Sequence, residues 1–372
     1  MKTNGMPAAR EKSSTPASES PDPPKRRAQR PRSGTYTVHD VAALAGVSSV
    51  TVSRYFNAPH KVSDVLRDRL AGIIAETGYV PNQVARILAT AQGGVVGAVM
   101  QNVTSPTFAD MVRGMMDVAE ENALQLLLAN SHFSLESETR ALRTFAGWHP
   151  RAMILTRNDH APDTEALLAR LRIPIVEAWE VMTERPFHQV GFSQTEVGIS
   201  QALHFIAQGA QRIRFALNGA TEDGRAARRA EGYAGAMRDA GLKPDIWRAN
   251  AKDDIAAARE LLADIAALPL RRRPQAVIFG NDNMAIATML SAPAHGLHVP
   301  DSLAVAGFGD MPLGLVTTPA LTTVRPDPYA IGAQSMAIVV AALGDGEGKQ
   351  SPQRREIPCE LVVRDSSRIS RA

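Results

Sequence analysis

The chain has 372 residues, 44% apolar and 21% charged, with one cysteine, Cys359, and a net charge of +3. That is ordinary globular composition, long enough for two or three domains. A lone cysteine excludes an intramolecular disulfide framework and any multi-cysteine metal site, and it fits a reducing compartment.

Residues 1–34 hold eight Lys/Arg against three Asp/Glu, among them Lys25, Arg26, Arg27, Arg30 and Arg32. A Pro/Ser-rich stretch of this kind buries too little apolar surface to fold, so a disordered basic tail is expected. It is either a solubilising tail or an arm drawn to phosphates. This N-terminus carries no apolar signal-peptide core, and the longest apolar runs are too short to cross a bilayer. A cytoplasmic protein with no membrane partner is expected.

Short helices with tight turns are expected over 37–90. Thr37 and Asp40 have the form of a capping box, with Asp in place of Glu or Gln, ahead of Val38, Val41, Ala42, Leu44 and Ala45 at helical spacing. Gly46 ends this helix. Ser48 caps a second helix with Val50, Val52, Tyr55 and Phe56, stopped by Asn57-Ala58-Pro59. Ser63 caps a third, with Val65, Leu66, Leu70, Ile73 and Ile74 inward and Gly78 past its end. From Val95 the pattern changes. Apolar strands are expected at Val95–Met100, Leu124–Ala129, Ala152–Thr156, Ile175–Trp179, Ile213–Leu217, Ala276–Phe279 and Leu303–Phe308. Helical patterns lie between them, as at Phe108–Glu121, Thr195–Gln208 and Arg225–Ala240. Such alternation predicts parallel sheets with helices on both faces, and its length favours two stacked α/β subdomains.

The run from Val38 to Arg54 carries the most information. Ala42 is small where two helices must cross, Gly46 permits a positive-φ turn, and Val47 and Val52 fill a small core between the helices. The second helix then offers Ser49, Val50, Ser53 and Arg54 on its outer face. A recognition helix sets its N-terminal residues against base edges in the major groove. Serine can hydrogen-bond several bases, valine can touch a thymine methyl, and arginine suits guanine.

Here the chain resembles the lactose-repressor/galactose-repressor family. The matching residues are the D-V-A-x-x-A-G-V-S-x-x-T-V-S-R pattern from Asp40 to Arg54, then Asn57, Val62-Ser63 and Gly78-Tyr79-Val80-Pro81-Asn82. The resemblance implies an α/β protein: an N-terminal all-α helix-turn-helix head plus a periplasmic-binding-protein-like, two-lobed parallel-sheet effector domain. It implies that Thr37, Ser48, Thr51, Ser53, Asn57 and Ser63 contact phosphates or position the helices, and that Ser49, Val50 and Arg54 read bases. Ser49-Val50 is smaller than many relatives carry, which suggests fewer bidentate contacts and a share of specificity for DNA shape. Residues 35–80 are then the head, 81–92 a hinge helix and linker, and 93–366 the effector-binding and dimerisation domain.

Pro81 to Ala89 reads as one short helix capped by Asn82, too short to be stable alone in water. In the resembled family this element folds on DNA. Leu88 then takes the place of the apolar wedge that kinks the duplex in its minor groove, with the small Ala85 beside it. The other reading is an ordinary linker with Leu88 packed on the core.

In the remaining chain, Arg229 lies three residues before Gly232-Tyr233, in the R-x-x-G-[YF] pattern with which the family grips its effector. The alternative is a surface arginine on a basic helix start, beside Arg225 and Arg228. Asp282 sits in an N-D-x-x-A motif after a strand, where open α/β sheets bind ligands. It accepts sugar hydroxyls, caps its helix, or does both. The loop of Ser105, Thr107 and Phe108 holds ligand-contacting groups by resemblance, although Phe108 fits a core position equally. His132, Glu177 and Trp179 are weaker candidates. Within the family, Phe108-Ala109, Val112-Arg113-Gly114, Ile154-Leu155-Thr156, Pro174-Ile175-Val176-Glu177 and Val190-Gly191-Phe192 resemble the gluconate-utilisation type. They make a sugar acid such as gluconate the expected effector, with Arg229 facing its carboxylate. Ser193, where relatives often carry Asp, and Ala210 after Gly209 depart from the family pattern.

Two half-sites on a palindromic duplex operator require a homodimer. No leucine-heptad tail follows Arg364, so the tetramerising segment of the lactose repressor is not expected. No cofactor or metal is expected, and no catalytic residue stands out. Gly93-Gly94-x-x-Gly97 precedes its strand, so it makes a poor dinucleotide loop, and P-loop, H-E-x-x-H and G-x-S-x-G motifs are missing. An exported sugar-binding protein would have no use for residues 37–90. The resemblance therefore implies a regulator, expected to be a repressor of carbohydrate or sugar-acid genes.

Overall fold

The computed structural model describes residues 36–81, 94–219, 224–344 and 351–369. The expected basic tail at 1–34, and Asn82, Ala85 and Leu88 of the expected hinge, lie outside the described residues. The chain divides into two units, Met1–Gln83 and Val84–Ala372.

The first unit is built from α1 (Val38–Ala45), α2 (Ser49–Asn57) and α3 (Asp64–Thr77), with a one-turn 3-10 helix at Pro59–Lys61. Thr37 and Asp40 close a reciprocal capping box, in which the Thr37 N–H donates to Asp40 Oδ2 at 2.8 Å. Gly46 takes φ 63°, and the Val47 N–H returns to the Ala42 carbonyl at 3.0 Å. That left-handed residue turns the chain sharply enough for α2 to pack across α1. Val41, Ala42, Ala45, Val52, Leu70 and Tyr79 form the core. Two expectations need correction. Ser63 stands at the cap position of α3 without a side-chain cap hydrogen bond. Val65, read as inward, is 83% exposed, because the first turn of α3 extends beyond this small core.

The second unit holds, in chain order, β1 (Val95–Met100), α4 (Pro106–Glu121), β2 (Gln125–Asn130), α5 (Leu135–Gly147), β3 (Ala152–Leu155), α6 (Pro162–Arg170), β4 (Ile175–Glu180) and β5 (His188–Phe192). It continues with α7 (Gln194–Ala207), β6 (Ile213–Leu217), α8 (Gly224–Asp239), β7 (Asp245–Arg248), α9 (Asp254–Ala267), β8 (Ala276–Phe279), α10 (Asp282–Ser291), β9 (Ala304–Phe308), α11 (Pro312–Val316) and β10 (Thr322–Arg325). Then come α12 (Pro328–Gly344), β11 (Arg354–Glu356) and β12 (Glu360–Val362). The described strands form two six-stranded sheets, ordered β11-β5-β4-β3-β1-β2 and β12-β10-β9-β8-β6-β7. All pairings are parallel except β10 with β12. Helices cover both faces, so central strands such as Val95–Met100 bury nearly every residue.

Each sheet is the middle layer of a lobe. The chain passes between lobes three times, after β5, after β10 and between β11 and β12. All seven expected strands are present, with ends shifted by a residue at most. The sequence pattern missed β5, β7, β10, β11 and β12. β5 hides behind buried polar residues, His188 and Gln189, while β11 and β12 have three residues each, too few to show a period.

Candidate functional site

The outward face of α2 carries Val50, 57% exposed, with Ser53 and Arg54 also exposed and Ser49 half-buried beside them. Val52, on the opposite side, is fully buried and anchors the helix. Ser48 accepts from the Thr51 N–H at 3.3 Å, and its hydroxyl lies 3.0 Å from that of Thr51. Asn57 Nδ2 donates to Ser53 Oγ at 3.2 Å. The helix start therefore presents hydroxyls, one apolar group and one guanidinium, a set matched to phosphates and base edges. Thr37 and Ser63 are exposed at the starts of α1 and α3.

In the second unit, Ser105, Thr107, Phe108, Arg229 and Asp282 line one cavity of about 180 Å³, together with residues from both lobes. It lies beyond the C-terminal ends of the strands, where parallel sheets leave room for ligands. Arg229 is only 4% exposed, so the surface-arginine reading fails. Its Nη2 donates to the Gly280 carbonyl at 2.7 Å, its Nη1 donates to Gln194 Oε1, and its guanidinium carbon stands 4.0 Å from the Phe308 ring centre. Gln194 Nε2 in turn donates to the Trp179 carbonyl at 3.0 Å. The Gly232 of the arginine motif has a packing reason. A Cβ there would meet the Thr195 carbonyl at 2.1 Å, and one at Gly198 would meet the Arg229 carbonyl at 1.8 Å. Only glycines let α7 and α8 approach this closely and hold Arg229 in place.

Asp282, 1% exposed, accepts from Thr323 Oγ1 at 2.7 Å and from the Met311 N–H at 2.8 Å. A carboxylate has about four acceptor sites, so capacity remains for hydroxyls. Burial raises its pKa to about 6, against the opposing pull of those two donors. It does not cap α10; Asn281 does, accepting from the Met284 N–H at 2.9 Å. Phe108 serves both readings, since it lines the cavity and belongs to the core of the first lobe.

Of the weaker candidates, Trp179 lines the cavity, packed against Phe108 with ring centres 5.2 Å apart. His132 and Glu177 do not line it. Glu177 instead belongs to a buried network with Arg185 and His160, whose Nδ1 is 2.9 Å from Glu138. Burial alone would lower the His160 pKa, but hydrogen bonds to Glu138 and Glu177 raise it to about 9. Ser193 caps α7, accepting from the Glu196 N–H at 3.2 Å. Ala210 is buried after Gly209, which takes φ 88°.

Sequence reasoning missed Asn102, Gln194, Asn218, Arg225, Asp254 and Phe308. The strand-end rule finds Asn102, Asn218 and Phe308, which end or closely follow β1, β6 and β9. No local signal marks Gln194 or Asp254. A larger, more open hollow of about 520 Å³ lies by the lobe crossovers, but its charged groups engage one another, as in Arg113–Asp110 at 3.0 Å. Among the described residues no cluster of His, Cys, Asp and Glu fits a metal ion, and no helix is long and apolar enough to cross a membrane.

Residues 37–82 match the family "Bacterial regulatory proteins, lacI family", and residues 202–367 match the "Periplasmic binding protein-like domain". The chain is 31% identical over 304 residues to the HTH-type transcriptional regulator GntR of Escherichia coli (strain K12), covering 80% of this chain and 90% of that protein. It is 29% identical over 337 residues to the ribose operon repressor of the same strain, covering 89% and 99%. The crystal structure of a LacI-family transcriptional regulator from Silicibacter pomeroyi superposes with a TM-score of 0.80 at 26% identity, covering 90% of this chain and all of that one. These relatives are regulators and not enzymes. With a helix-turn-helix head joined to a two-lobed, periplasmic-binding-type domain, the chain belongs to the LacI family of DNA-binding transcriptional regulators.

Proposed function

We propose that this chain is a cytoplasmic, homodimeric repressor that binds a palindromic operator and senses a sugar acid such as gluconate. One observation carries the effector half of this reading. A small cavity between two lobes gathers buried guanidinium groups, buried carboxylates and aromatic faces, the chemistry of a polyhydroxylated, charged metabolite. The ribose operon repressor among the relatives supports a sugar-related signal.

In this reading 35–80 is the head, 81–92 the hinge and 93–366 the sensing and dimerisation domain. Ser49, Val50 and Arg54 read bases, while Thr37, Ser48, Thr51, Ser53, Asn57 and Ser63 hold phosphates or position the helices. Asn82, Ala85 and Leu88 form the hinge helix on DNA. Ser105, Thr107, Phe108, Arg229 and Asp282 enclose the effector. The ligand prefers one arrangement of the lobes and so biases hinge pairing, with a coupling of about 1–3 kcal/mol.

Calorimetric titration of the full chain with gluconate tests the effector, and heat saturating at millimolar ligand or below is expected. Absence of heat removes gluconate. Selection from a random duplex library tests the operator, and enrichment of a palindrome is expected.

A further inference from the structure

Three arginines crowd the start of α8, and their surroundings differ. Arg228 reaches to the other lobe, with Nε 2.6 Å from Glu180 Oε1 and Nη2 3.2 Å from Asn158 Oδ1. Arg229 donates to a backbone carbonyl and to Gln194, and stacks on Phe308. Arg225 lies one turn before Arg229 on the same side of the helix. It is 9% exposed, lines the cavity, and its guanidinium carbon stands 5.6 Å from the ring centres of both Phe108 and Trp179.

We propose that Arg225, and not Arg229, reads the negative group of the effector, so the cleft selects a monosaccharide-sized anion whose charged end lies against the Phe108–Trp179 wall. This rests on the effector-cleft reading above and names the ligand class of that site.

Three physical arguments support the assignment. Turning the Arg229 nitrogens to a ligand strips hydrogen bonds from the Gly280 carbonyl and Gln194, both at buried positions beside the cleft, and leaves those acceptors short of donors. Arg229 is thus a positioning residue, linked through Gln194 to the Trp179 carbonyl. Arg225 carries its charge at the aromatic wall of a poorly hydrated cavity, where attraction to an anion is stronger than in water. The first turn of α8 adds the positive end of the helix dipole beside it. Size then limits the ligand. The cavity of about 180 Å³ offers roughly the room of six waters at about 30 Å³ each, which suits a monosaccharide and not a disaccharide or nucleotide. A carboxylate and a phosphate share the chemistry that a guanidinium recognises.

The test is calorimetric titration of the full chain and its R225Q, R225K and R229Q variants. The ligands are gluconate, glucuronate, the primary phosphate ester of glucose, and neutral sorbitol. Wild type is expected to bind at least one of the acids more tightly than sorbitol. R225Q should lose about tenfold or more of the acid affinity while its sorbitol affinity stays unchanged, and R225K should recover part of the loss. R229Q should weaken acid and sorbitol together, since it acts through Gln194. The carboxylate and phosphate arms separate the two sources of charge. Ligand-free melting of R225Q near the wild-type temperature establishes that the variant folds. The proposal is overturned if R225Q keeps its acid affinity, if R229Q alone loses the acids selectively, or if wild type binds only sorbitol or nothing. A chain that ignores gluconate yet binds another acid through Arg225 removes gluconate as effector and leaves this assignment standing.

Discussion

The head offers its partner-facing residues from a single nine-residue helix, exposed, with the buried Val52 as anchor. The cleft assembles its residues from segments between Asn102 and Met311, and those central to it are buried and already hydrogen-bonded to the protein. A residue such as Arg54 is therefore free to specialise for recognition. Arg229 and Asp282 hold the fold around the cleft as well as facing it. Changes on the head should alter function without stability, whereas changes in the cleft should alter both.

The sharpest break of this comparison comes from the head's core. Leu70→Ala removes a fully buried side chain from a core of six buried residues and should cost about 2–5 kcal/mol. Duplex binding should disappear while heat of effector binding persists. Loss of both would mean that the two units do not fold separately. Arg54→Ala should cost about 1–3 kcal/mol of specific duplex affinity, read by fluorescence anisotropy. Non-specific affinity, melting temperature and effector affinity should barely move.

A pH titration probes the cleft. Asp282 has a pKa raised to about 6 by burial, so it is a carboxylate at neutral pH and takes up a proton as pH falls through 6. Its capacity to accept hydroxyls then drops, and effector affinity should decline roughly tenfold by pH 5. Asp282→Asn should flatten that profile. The stability effect has the opposite sign. A carboxyl raised above its model value of 3.8 favours the folded state as pH falls from about 6 toward 3.8, where the folded protein binds the extra proton. The smallest effect belongs to Thr37→Ala, which removes the capping box and should lower head stability by about 1 kcal/mol in a thermal melt.

The same contrast explains what could be read from the chain. Thr37, Asp40, Gly46 and Val52 act within a few residues of one another, so spacing alone revealed their roles. Arg229 and Asp282 were legible because their motifs lie on α8 and at the start of α10, each after a strand. Arg225 was visible only as part of a basic run, since its aromatic neighbours Phe108 and Trp179 stand far away in the sequence. Asn281 and Asp282 are both good caps, and composition cannot choose between adjacent candidates; the hydrogen bonds from Thr323 and Met311 draw Asp282 inward. The short strands β11 and β12 owe their form to the neighbours β5 and β10, which supply what three residues cannot specify alone.

The central claim, a sugar-acid signal controlling a sequence-reading head, is tested most directly by anisotropy on the full chain. The chain is titrated onto its selected palindromic duplex and onto random duplex, at low and physiological salt, with and without each candidate acid. The account predicts a preference of about a thousandfold or more for the palindrome and a shift in that affinity when one acid is added. Equal affinity for both duplexes under every condition would contradict it.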